Sequence, residues 1–214
     1  MKNFTTFILT LIIGFCHAQN RDPDAQTLLN EMSAKVNEYD NMVLEFKYAL
    51  DNSEENIHQD TRGDITLVGD NYVLNILGIT RIFDGEKLIT ISPEDEEVTI
   101  SKQNTAEENT ITPSQLLTFY EEGYNYKMDI IQNVRGRKIQ YIKLNPIDSN
   151  SEISYVLLGI DTNTKHVYNL IEIGSNGTKT TLTINAFKTN QPLSETLFTF
   201  DAAKYSDYYI NNLD

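Results

Sequence analysis

Few side chains in this sequence are of the types and spacings that carry out chemistry. Beyond the first twenty residues there are two histidines, His58 and His166, far apart and outside any His-x-x-x-His or cysteine-rich context. That argues against a zinc site. No nucleophile elbow, phosphate-binding loop or dinucleotide fingerprint occurs. The acidic run Glu94-Asp95-Glu96-Glu97 could gather a calcium ion, but it lacks the spaced Asp and Asn ligands around a central glycine, and a solvated hairpin tip accounts for it. Gly174-Ser175-Asn176-Gly177 carries hairpin-turn chemistry, not that of a phosphate cradle. Acidic pairs on strands could serve acid–base chemistry, yet a chain with 31 acidic residues offers such pairs by number alone. No catalytic residue, metal or cofactor is expected.

The elements that would position a site are mostly strands. Asp22-Pro23 has the form of a helix cap with proline at the first helical position, and Ala25, Leu28, Leu29, Met32, Val36 and Tyr39 follow at helical spacing. Leu44, Phe46, Tyr48 and Leu50 then alternate with Glu45, Lys47 and Ala49, the pattern of a strand with one buried face. Strands are expected again near 63–68, 71–77, 88–92 and 98–101, with Asp84-Gly85 as a hairpin turn. Thr112-Pro113-Ser114-Gln115 resembles a capping box opening a short helix through Leu116, Leu117, Phe119 and Tyr120. Further strands are expected near 124–134, 138–144, 153–160, 166–173, 179–187 and 197–200.

The fold class is therefore mainly β, with about ten or eleven short strands and two helices. Short turns favour antiparallel neighbours in one large curved sheet. Two helices cannot cover such a sheet, so curling it into a partial barrel with the helices as a lid would leave an apolar cavity; a completely filled core is the alternative. The wall of that cavity is expected to carry Leu44, Phe46, Tyr48, Ile65, Leu67, Tyr72, Leu74, Ile89 and Ile91. The lid is expected to carry Leu28, Leu29, Met32, Val36, Leu116, Leu117 and Phe119.

Charge and the first residues bear on location. The 214 residues carry 17 basic and 31 acidic side chains, a formal net charge of -14, which speaks against nucleic acid and against unaided anchoring on anionic membranes. Lys2, the apolar run 7–15 and Cys16-His17-Ala18 have the order of a secretory signal peptide over residues 1–18, with cleavage expected after Ala18. Retention as an anchor or lipidation of Cys16 are alternatives, the latter opposed by bulky Phe15 just before the cysteine. Cleavage would remove the single cysteine and leave 19–214 as one soluble domain without disulfides, suited to a periplasm.

Several segments, taken in order, resemble the periplasmic lipoprotein carrier family, LolA and its relatives. They are Leu28-Leu29-x-x-Met32 leading into Leu44-Glu45-Phe46, Gly63-Asp64-Ile65-Thr66-Leu67, Asp84-Gly85-x-x-Leu88 ending near Pro93, Thr112-Pro113 with Leu116-Leu117, and Phe198-Thr199-Phe200. The resemblance implies an unclosed antiparallel barrel with a helical lid. It also implies a monomeric, non-enzymatic carrier that shields the acyl chains of lipoproteins and touches membranes only transiently. The implied partners are acylated lipoproteins, an inner-membrane release complex and an outer-membrane receptor. One departure stands out. Where many relatives carry Arg-Pro, with the Arg holding the lid, this chain has Gly69-Asp70. A module of the same fold that binds or senses another apolar ligand, and an all-β hydrolase, are the competing readings.

Overall fold

The computed structural model describes residues 21–102 and 118–213. The expected signal peptide, and Leu116 and Leu117 of the expected second helix, lie outside them. One helix, α1 (Pro23–Val36), precedes β1 (Met42–Asn52), β2 (Ile57–Val68), β3 (Asn71–Ile76), β4 (Ile79–Phe83), β5 (Lys87–Ser92) and β6 (Glu97–Lys102). A 3-10 turn at Phe119–Glu121 leads into β7 (Tyr124–Val134), β8 (Arg137–Pro146), β9 (Ile153–Asp161), β10 (Val167–Gly174), β11 (Lys179–Thr189) and, last, β12 (Tyr209–Leu213).

All twelve strands form one sheet in the order β12-β6-β5-β4-β3-β2-β1-β11-β10-β9-β8-β7. Its two ends do not meet, so the barrel is unclosed. Hairpins build β1–β6 and β7–β11, and the pairing of β1 with β11 joins the halves antiparallel, Leu44 opposite Phe187 and Tyr48 opposite Leu182. A register shift between Glu45 and Phe46 interrupts that seam, and such bulges add local twist and bend a sheet.

The helix starts where its sequence requires. Asp22 Oδ1 accepts hydrogen bonds from the backbone N–H of Asp24 (2.9 Å) and Ala25 (3.4 Å), satisfying donors that the first turn leaves unpaired. Its other oxygen accepts from Met128 N–H at 3.1 Å, and its own N–H donates to Tyr126 O at 3.0 Å. One residue thus caps α1 and fastens it to β7. These backbone donors, Met128 first, hold the Asp22 carboxyl below its ordinary range.

The strand count exceeds the expectation for a local reason. Leu77 and Gly78 both have positive φ, 55° and 77°, the backbone of a two-residue hairpin turn. Leu77 therefore ends β3 at the surface, 71% exposed, and β4 follows directly. At the C-terminal end, Leu197–Phe200 is not a strand. The last strand is β12, which pairs parallel with β6, Tyr209 opposite Glu97. The long connection from β11 makes a parallel partner reachable. Gly69, at φ 57°, occupies the tight β2–β3 turn.

Candidate functional site: a cavity on the concave face

Pairing register fixes which side chains share a face, because residues directly opposite one another in neighbouring strands project to the same side. Leu74, Ile65, Leu44 and Phe187 form one such row across β3, β2, β1 and β11; Tyr48, Leu182, Leu170, Leu158 and Ile142 form another across β1, β11, β10, β9 and β8. Both rows lie on the concave face.

That face is filled in one half and hollow in the other. Over β7–β9, the α1 residues Ala25, Leu28, Leu29 and Met32 pack with Tyr120, Tyr126, Ile142, Leu144, Val156, Leu158 and Ile160 in one buried cluster. Leu29 and Met32 are 1% and 0% exposed, and burying each such side chain contributes about 1.5–3 kcal/mol. Tyr120 donates to Leu29 O at 3.2 Å, and burial raises its phenol pKa. Phe119 packs against this cluster, its ring edge-on to Tyr124 at 5.6 Å. The residues expected to form a lid over the cavity, Leu28, Leu29, Met32 and Phe119, are brought together instead over the β7–β9 half and do not line the cavity.

Beside that filled half lies a cavity of about 300 Å³. Its walls come from β1–β3 and β9–β11. Leu44, Phe46, Tyr48, Ile65, Leu67 and Leu74 line one side, and Leu158, Leu170, Leu182, Ile184 and Phe187 the other. Val36, at the end of α1, belongs to the cluster that includes Leu44, Phe46 and Phe187. The wall depends on a glycine. A Cβ at Gly63 would stand 2.5 Å from Phe46 Cζ and 2.6 Å from Asn75 O, so its absence lets the Phe46 ring lie flat over β2.

Three of the expected wall residues are placed elsewhere. Tyr72 is buried in the same cluster as Leu67 but does not line the cavity; its ring packs on Phe83 at 5.7 Å. Ile89 and Ile91 require a correction, since they face away from it. Leu67 pairs with Tyr72, Tyr72 with Phe83 and Phe83 with Leu88, so Leu88 holds the concave position on β5 and its odd-numbered neighbours project to the convex side. There Ile82, Ile89, Ile91 and Val98 form a separate core under Phe198, Phe200, Tyr205, Tyr208 and Ile210 of the C-terminal segment. The pattern Leu88-Ile89-Thr90-Ile91 has apolar residues in both registers, so alternation alone does not tell the cavity-facing set from the set buried on the convex side. Their convex cover is remote in sequence.

The second wall was not anticipated from the sequence. Its signal is the alternation Thr180, Leu182, Ile184 along β11, which the bulge opposite Glu45 breaks before Phe187.

Two polar features frame the cavity. At one end, past α1, Tyr39 and His166 share a 2.8 Å hydrogen bond (Oη to Nε2), and the His166 ring stacks on Phe187 at 3.9 Å. Burial, then the nearby Lys35 charge, lowers the His166 pKa, so at neutral pH the imidazole is uncharged. Lys165 pairs with Glu31 of α1 at 2.5 Å alongside it. At the other end Glu172 and Thr180 line the wall, and burial raises the Glu172 pKa. Among the described residues, no group of three or more His, Cys, Asp or Glu side chains is placed to hold a metal ion. No helix among them is long and apolar enough to cross a membrane.

Comparison with known proteins agrees with this architecture. A conserved protein from Thermus thermophilus superposes with a TM-score of 0.57 at 9% identity, over 89% of this chain and 99% of its own. LprF from Mycobacterium bovis gives 0.51 at 11% identity, over 82% and 97%. A LolA superfamily protein from Nitrosomonas europaea gives 0.43 at 13% identity, over 83% and 98%. At these identities the first two establish a shared fold. A search of curated proteins finds no match. Residues 79–201 match the family model described as outer membrane lipoprotein carrier protein LolA. That match spans more than half of the sequence and includes β4–β11, which supply the wall from Leu158 to Phe187, and on it the chain belongs to the LolA family.

Proposed function

We propose that this protein is a carrier that shields acyl chains of lipoproteins in its concave cavity and moves them across the periplasm from the inner to the outer membrane. The observation that carries the reading is the hollow half of the concave face, walled by aliphatic and aromatic side chains and bordered by α1. Each methylene taken from water into such a space gains about 0.8 kcal/mol. A triacylated protein has on the order of 45 methylenes and does not cross an aqueous gap unaided. The cavity, about 300 Å³, is at the small end of ligand pockets. It accommodates one chain or part of one, so a full load requires α1 to move away from β7–β9. In this reading residues 1–18 are a cleaved export signal. Residues 19–214 act as one monomeric, soluble, non-enzymatic domain that meets an inner-membrane release complex and an outer-membrane receptor.

Purification of the protein from cell envelopes without detergent, followed by mass spectrometry of retained lipid and protein, tests this. Acylated protein should be retained by the native chain and lost when the cavity is blocked by Leu182→Trp. Retention of a free lipid with no protein attached would replace the carrier reading with that of a module that binds or senses another apolar ligand. Retention of nothing apolar would overturn both.

A further inference from the structure

The cavity is not uniform along its length. From Phe187 through Ile184 to Leu182 on β11, and from Leu44 to Tyr48 on β1, the facing side chains are aliphatic or aromatic. Two residues further along β11 the wall changes to Thr180, directly opposite Glu172 of β10. At ~3.3 Å per strand residue, the run from Thr180 to Phe187 spans roughly 20 Å. The apolar wall therefore runs between two different ends, Glu172 and Thr180 in the lining at one and Phe187, backed by the uncharged Tyr39–His166 pair, at the other.

Glu172 is the one Asp, Glu, His, Lys or Arg among the lining residues. On its other side it pairs with Val156, a member of the filled cluster under α1, so its carboxylate stands where the filled half meets the hollow. Among the described residues no hydrogen bond or ion pair reaches it, and the bridges formed by Lys35, Lys47, Lys165, Lys188 and Lys204 go to other partners. Tyr124 is close enough to sense its charge. A half-buried carboxylate with no cation lacks compensation for lost hydration, and a ligand that brought a donor to it would supply that compensation.

We propose that Glu172 selects the polar end of the ligand, so that the cavity takes an alkyl or acyl chain attached to a hydrogen-bond-donating head, a cationic amine above all, with that head beside Glu172 and Thr180 and the chain running toward Phe187. The inference rests on the acyl-chain reading of the cavity and adds a head-group class to it. A charge-assisted hydrogen bond in such surroundings is about twice as strong as a neutral one, and the matched head should gain on the order of tenfold in affinity.

The test is displacement of an apolar fluorescent probe by dodecylamine, dodecanol and dodecanoate, at equal chain length and neutral pH. The amine should displace the probe at about one tenth the concentration that dodecanoate needs, with dodecanol between. Glu172→Gln should bring amine and dodecanoate together while leaving dodecanol nearly unchanged, and Glu172→Asp, which withdraws the charge from the cavity, should narrow the gap. Net charge draws cations to any acidic protein, so Glu86→Gln, a surface charge remote from the cavity, is the control and should leave the gap intact. Equal displacement by amine and dodecanoate in the native protein, or a gap that survives Glu172→Gln, would overturn the head-group assignment while the acyl-chain reading stands. If no amphiphile displaces the probe, the acyl-chain reading falls and this one with it.

Discussion

Among the described residues, the concave face of one continuous sheet is filled over β7–β9 and hollow over β1–β3 and β10–β11, with Leu158 of β9 at the boundary of the two. Both halves present the same kinds of side chain: Ile142, Leu144, Val156 and Leu158 on one, Leu44, Ile65, Leu182 and Ile184 on the other. What differs is the cover. Leu28, Leu29 and Met32 of α1 fill the first half, and only Val36 at the end of the helix joins the cluster of the second. Among the described residues, what sets the filled half apart is the fourteen-residue helix packed on it, not any special composition of the wall. Stability should depend mainly on the filled half and binding on the hollow half.

Substitutions can break or sharpen this division. The largest effect should come from Leu29→Asp, which buries an unpaired carboxylate at a site 1% exposed and should cost several kcal/mol. Urea denaturation would show it as a collapsed midpoint, or α1 should release and apolar-probe binding rise in a still-folded protein. Wild-type stability and probe binding would mean that α1 does not cover an apolar surface. Leu29→Ala should cost about 3–4 kcal/mol, whereas Ile65→Ala, next to existing space, should cost about 2 kcal/mol. Equal losses would erase the distinction between the halves. Leu182→Trp should reverse the ranking, with stability changed by less than about 1 kcal/mol and probe affinity reduced at least tenfold. Isothermal titration and thermal melts on the same sample would measure both.

The smallest effect concerns pH. The folded-state pKa of His166 lies below the ordinary 6.5, so the unfolded chain takes up this proton first as pH falls. The stability contributed by the neutral imidazole is complete above 6.5 and is lost as pH falls from there through the lowered folded value. Stability against pH should therefore slope downward below 6.5, and His166→Phe should flatten that slope.

Much of this was legible in the sequence. Asp22-Pro23 and the spacing from Ala25 to Val36 set the helix, and the alternation of β1 placed Leu44, Phe46 and Tyr48 on one face, because helix caps and half-buried strands are local matters. Where the local signal is ambiguous, the register must be settled by distant partners. Leu88-Ile89-Thr90-Ile91 fits either face, and the packing of Phe198 and Phe200 on the convex side decides it. β4 was hidden because Leu77 is a poor residue for positive φ, so its turn with Gly78 carries no strong sequence mark. β12 was hidden because Tyr209–Leu213 is recruited by β6 across a long connection. The polar end at Glu172 could have been noticed as an acid amid Leu170, Ile171 and Ile173, but only the pairing with Thr180 and Val156 shows that it faces the cavity.

The seam between β1 and β11 also dictates an order of events during folding. The two strands that meet there are the first and nearly the last of the chain, and the hairpins on either side can close by themselves while the seam cannot. Loop-closure entropy must be met in full before Leu44 and Phe187 come together, which places this protein among the slower-folding topologies. A chain that has not yet delivered residues 179–189 holds two half-sheets, with β1 a bare edge and its apolar row open to solvent. The compartment for a ligand comes into being only when that last long strand zips onto the first.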